Sequence, residues 1–199
     1  HVIQEEAGED ILKLSGAGDG DINQPILESY RGRVRWLIAN LATALVASSI
    51  IALFQGTIAQ MVALAALMPI VAGVGGNAGT QTMAVAVRAI ATNQLTDSNT
   101  KRTIAREMRI ALLNGATIAA IIGIGVSLVF ANPQLGAVIA AAMMTNIFVA
   151  GLAGVLVPVI LDRLDQDPAV ASSVFVTMTT DSMGFFAFLG LATLAGLTG

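Results

Sequence analysis

Asp181 is the one acidic residue in the middle of a long apolar run, about twelve residues into the stretch that begins near Ala169. At roughly 1.5 Å of rise per helical residue, that places a carboxylate close to the centre of a bilayer. An ionised carboxylate there costs on the order of 3 kcal/mol or more on an isolated helix, so it needs a partner or water. No Lys or Arg lies at that depth, which leaves a cation that comes and goes as the natural counter-charge. The plainer alternative is a protonated Asp bonded to a neighbouring helix, a task that Ser, Thr or Asn performs at less cost. Ser173, Thr177 and Asp181 recur at i, i+4 and i+8, with Thr180 and Gly184 flanking the stripe. That spacing gives one hydroxyl-rich helix face with the carboxylate on it.

A second apolar run carries its own polar set. Asn77 and Gln81 are four apart with Thr80 between them, among Pro69, Gly73, Gly75, Gly76 and Gly79. Glycines alone point to tight helix packing. Glycines together with a proline and two amides point to irregular polar backbone lining a cavity. Oxygen donors dominate throughout, because the chain has no Cys and its only His is at position 1. Such donors suit a hard ion rather than zinc, copper or iron. One carboxylate is too few for a dehydrated calcium cage, but it suits magnesium held through its hydration shell. Two chains about a symmetry axis would pair two copies of Asp181 and neutralise a divalent ion. Elsewhere the plain readings prevail: Asn114 and Asn146 as interhelical hydrogen bonds, the Met residues as packing, and Arg88 as a snorkelling anchor.

These residues require membrane helices to position them, and the composition supplies such helices. The 199 residues are 55% hydrophobic and 12% charged, too little charge to dress a soluble domain. Five spans are predicted at about 36–54, 61–90, 108–130, 135–161 and 169–197, with 91–106 as a polar loop and 55–60 as an uncharged connection. Residues 1–35 differ in character. Glu5, Glu6, Glu9 and Asp10 lie among Ile3, Ile11, Leu12 and Leu14 as a short acidic amphipathic helix, followed by a glycine-rich linker. All ten Lys and Arg residues fall on the side of the N-terminus or at its edge. The positive-inside rule therefore places the N-terminus in the cytoplasm and the C-terminus outside. The chain opens on His1 rather than Met, and is expected to be a piece of a longer protein.

The run from Pro69 to Thr82, PIVAGVGGNAGTQT, resembles the second-helix signature of the MgtE family of magnesium channels. The segment from Pro168 to Asp181 resembles that family's fifth helix, and the five spans follow in the same order. The resemblance implies an all-α integral membrane homodimer in a bacterial inner membrane, with a pore lined by the second and fifth helices. It implies that Asp181 is the main ion-selective residue, holding hydrated Mg2+, with Gly76, Asn77 and Thr80 facing the pore beside the Ser173 and Thr177 stripe. It assigns residues 1–35 to a connecting or plug helix and linker, and 36–199 to the pore domain. Mg2+ would be both cargo and regulator, sensed at the inner mouth by Glu5, Glu6, Glu9, Asp10 and Asp167. Membrane lipid, a second copy, and the family's N-terminal and CBS domains are the expected partners; nucleic acid is not. Two other readings stand beside this one. A proton- or sodium-coupled transporter would use Asp181 as the carrier group. An intramembrane aspartyl protease needs two carboxylates in one site, and a single chain offers one.

Overall fold

The computed structural model describes residues 2–17 and 22–197. Among them are seven helices: α1 (Val2–Ser15), α2 (Ile26–Leu53), α3 (Gln55–Gln60), α4 (Ala63–Ala91), α5 (Thr100–Val129), α6 (Pro133–Arg163) and α7 (Pro168–Leu194). Five of these, α2 and α4 to α7, are long and apolar enough to cross a membrane, and the described residues contain no strand.

The helices start and stop at recognisable signals. Pro133 and Pro168 take the first position of α6 and α7, where a missing N–H costs nothing. Asn132 Oδ1 accepts from Leu135 N at 3.0 Å, and Asp167 Oδ1 accepts from Ala169 N at 3.0 Å. α1 and α6 end in paired reverse bonds around a residue of positive φ. Gly16 (φ 72°) and Asp165 (φ 54°) occupy that position, with Ala17 N bonding Leu12 O and Gln166 N bonding Leu161 O.

Several sequence-based boundaries move. α2 starts ten residues before Trp36, so Arg31, Arg33 and Arg35 lie on the helix rather than ahead of it. Pro25 is the last breaker, and helical hydrogen bonding takes no notice of where the apolar run begins. The expected loop 91–106 is shorter, because α5 starts at Thr100 and carries Lys101, Arg102 and Arg106 on its first turns. A network tightens the turn before it: Asn99 Oδ1 accepts from Thr96 N, and Asn99 Nδ2 donates to Gln94 O. The connection 55–60 is itself a short helix. α4 runs unbroken through Pro69 and its glycines, so the expected irregular backbone is absent from that span. The proline removes one donor, and packing on both sides carries the helix across the gap.

α6 is the central helix, in contact with α4, α5 and α7, and half of its apolar stretch is buried. The core joins Leu64 and Val71 of α4, Leu135, Ile139, Met143 and Ile147 of α6, and Phe188 and Leu189 of α7. Backbones approach closely where glycines permit, as they must when lipid is as apolar as the side chains. A Cβ on Gly154 would lie 2.7 Å from Thr82 Cβ and 3.0 Å from Gly79 O. α2 leans mainly on α7 and is almost wholly exposed, presenting Leu37, Ile38, Leu41 and Leu45.

Candidate functional site

Asp181 lies at the midpoint of α7, and Asn77 at the midpoint of α4. The two helices pack directly, and the contact between them decides which way each polar side chain turns. Thr180 is completely buried. Its Cγ2 lies 3.3 Å from where a Cβ on Gly79 would stand, and its Oγ1 lies 3.8 Å from the same point on Gly76. One turn on, Gly184 meets Ala72, where an added Cβ would lie 3.3 Å from the Ala72 Cα. Thr180 and Gly184 therefore flank the polar stripe on its inner, buried edge. The stripe faces outward, with Ser173 and Asp181 half-buried and Thr177 exposed.

α4 divides in the same way. Gly75 and Gly79 are buried against α6 and α7. Gly76 is half-buried, and Gly73, Asn77 and Thr80 are exposed. Nothing lies within 4 Å of a Cβ on Gly73. Thr80 Oγ1 donates to Gly76 O at 2.9 Å, so its hydroxyl hydrogen is used within the helix and its lone pairs are free. The parts of α4 and α7 that their packing leaves uncovered thus carry small residues, hydroxyls, one amide and a single carboxylate. Asp181 makes no ion pair or hydrogen bond with any described residue. Nor do three carboxylates or imidazoles converge anywhere among the described residues. Such a donor set can hold an ion through its water, but cannot strip and cage it.

The two predicted amides separate. Asn146 makes the expected interhelical bond, donating from Nδ2 to Val71 O at 2.9 Å. Asn114 is exposed instead and lines a cleft between α4 and α5 with Asn77, Gln81 and Thr117. Lower in that cleft sits Glu107, which the sequence reading passed over. Its side chain is 7% exposed and bonds Arg106 Nη1 at 2.6 Å. The signal was an acid at the edge of an apolar run, hidden because the predicted loop ended one residue before it.

At the other end, Leu14 of α1 packs against Met83, Val87, Ala169 and Val176, and Lys13 Nζ lies 3.7 Å from Asp167 Oδ2. Asp167 thus both caps α7 and meets α1. Glu9 lies on α1 and is exposed. The side chains of Glu5, Glu6 and Asp10 lie outside the described residues. Arg88 is exposed in the last turn of α4.

The family model for MgtE, a divalent cation transporter, matches residues 68–191. That interval contains every residue of the α4 and α7 faces. The chain is 35% identical over 196 residues to the magnesium transporter MgtE of Bacillus subtilis (strain 168), covering 96% of this chain and 43% of that protein. It is 36% identical over 193 residues to that of Enterococcus faecalis (97% and 43%), and 33% identical over 196 residues to that of Thermus thermophilus (97% and 43%). It therefore spans less than half the length of these relatives.

Proposed function

The chain belongs to the MgtE family of divalent cation transporters, and on that premise we propose that it is the pore of a magnesium-selective channel working as a homodimer. One observation carries the reading. The only mid-span carboxylate stands without a partner among the described residues, on a partly open, hydroxyl-bearing side of α7, level with the midpoint of the helix beside it. A two-fold axis in front of that face brings two copies of Asp181 together, and their two charges balance one divalent ion. Mg2+ sheds water reluctantly. The carboxylates therefore accept hydrogen bonds from its coordinated water, while the hydroxyls of Ser173, Thr177 and Thr80 and the Asn77 amide hold the outer water. Gly73 and Gly76 leave the width that a hydrated ion requires.

The chain enters the membrane of a bacterial cell with its N-terminus in the cytoplasm, because the basic residues of α2, α4, α5 and α6 all cluster toward that side. A divalent ion moving inward then gains about 4.6 kcal/mol per 100 mV of inside-negative potential, and no coupled ion is needed. α1, tied to α7 by Lys13 and Asp167, stands where cytosolic Mg2+ at Glu5, Glu6, Glu9, Asp10 and Asp167 would gate the inner mouth. The CBS modules implied by the resemblance belong to the same regulation.

The test is Mg2+ uptake into vesicles by Asp181→Asn and Asp181→Ala. Losing a charge-assisted hydrogen bond to coordinated water lowers flux by about tenfold to a hundredfold. Undiminished uptake at normal expression rules out the role of Asp181. Uptake that stops when a proton or sodium gradient is collapsed at constant potential replaces the channel with a coupled transporter.

A further inference from the structure

Asn146 lies near the midpoint of α6 and is fully enclosed. Its side chain enters a notch left by two glycines, one on each of the helices that carry the proposed pore face. A Cβ on Gly75 of α4 would stand 2.7 Å from Asn146 Cγ, and one on Gly184 of α7 would stand 2.8 Å from Nδ2. The amide therefore wedges both helices at once. Nδ2 also donates to the Val71 carbonyl of α4 at 2.9 Å, while Oδ1 has no partner among the described residues.

An amide with an unpaired acceptor in an apolar core is costly, and an apolar side chain would avoid that cost. A bond to one carbonyl does what a leucine cannot. It ties α6 to a single axial register of α4, just ahead of Gly76 and Asn77. The same side chain sets how closely α7 approaches, three residues beyond Asp181. Departures from the packing rule of this kind are expected at functional sites.

We propose that Asn146 is a positioning residue for the ion site, fixing the spacing and register of the α4 and α7 faces and thereby the preference for Mg2+ over Ca2+. The inference rests on the reading of Asp181 given above. A site that grips an ion through its water needs fixed spacing to exploit the rigid octahedral hydrate of Mg2+. Ca2+ accepts longer and more variable geometry and gains when the spacing relaxes.

The experiment measures Mg2+ uptake, with and without competing Ca2+, by the purified protein in phospholipid vesicles. Asn146→Leu keeps the branching and number of side-chain heavy atoms, with somewhat greater bulk, and removes the donor; Asn146→Ala only removes atoms and meets no steric obstacle to assembly. Both should elute as the parent does on size exclusion and keep maximal Mg2+ flux within about threefold, while half-saturating Mg2+ rises and the Mg2+ to Ca2+ preference falls by about tenfold or more. Unchanged preference in either assembled variant overturns the proposal and leaves Asn146 as packing alone. Asp181→Asn is assayed in parallel. If it retains wild-type flux and preference, the reading of the ion site fails, whatever the Asn146 variants do.

Discussion

Asp181 and Asp167 show how differently two carboxylates of one helix are used. Asp181 has no partner among the described residues, which leaves its charge to be met by something else. Asp167 has two partners, the Ala169 N–H that it caps and the Lys13 ammonium 3.7 Å away. Both side chains of that ion pair are more than two-fifths exposed, so the pair itself is worth little. The cap is worth about 1 kcal/mol. Asp167→Ala is therefore expected to lower the thermal stability of the detergent-solubilised protein by about that amount, whereas Asp167→Asn, an equally good cap, leaves it unchanged. Equal loss in both variants would assign the stability to the charge. Asp181 was legible in the sequence because a charge inside an apolar run needs no structure to be noticed. Glu107 was not, because at the edge of such a run an acid looks like an ordinary interfacial residue.

At the scale of elements, the helices are set by their end signals and their spacing by glycines. Asn132-Pro133 and Asp167-Pro168 fall between the predicted spans, and the structure starts α6 and α7 there. Helix length was less readable, since hydropathy marks the part that lipid covers and helices extend beyond it, as α2 and α5 do. Glycines carry unequal weight. Gly154→Ala forces a Cβ against Thr82 and the Gly79 carbonyl and must push α4 from α6. Overpacking of that kind costs about 1–3 kcal/mol, to be read as a lowered melting temperature. Gly125→Ala adds a methyl where nothing lies within 4 Å and should melt as the parent does. Matching losses at the two positions would show that helix flexibility, and not contact, is what glycine supplies.

For the whole molecule, the proposed homodimer makes the α4 and α7 faces half of a site. On that proposal the chain supplies one wall and one carboxylate, and a two-fold axis would supply the rest. Because the sequence has no cysteine, Thr177→Cys or Thr80→Cys would be a single-thiol protein. The expected outcome is oxidative cross-linking of Thr177→Cys or Thr80→Cys to a covalent dimer in membranes, reduced when Mg2+ is present between the faces. Dimers that never cross-link from either position would place the two-fold axis elsewhere.

The sequence by itself determined that the chain has five segments long and apolar enough to cross a membrane, which of them holds the carboxylate, and which residues share its helical face. Those properties follow from composition and from a period of 3.6, both local. It could not determine which face of each helix is turned inward, since periodicity groups side chains without saying what covers them. Packing decided that: the fit of Thr180 between Gly76 and Gly79, and of Asn146 between Gly75 and Gly184, turns Thr180 into the core. The same contacts leave Thr177 exposed and Ser173 and Asp181 half-buried on the neighbouring side of the helix, because successive helical residues point about 100° apart and packing covers only one of the two sides.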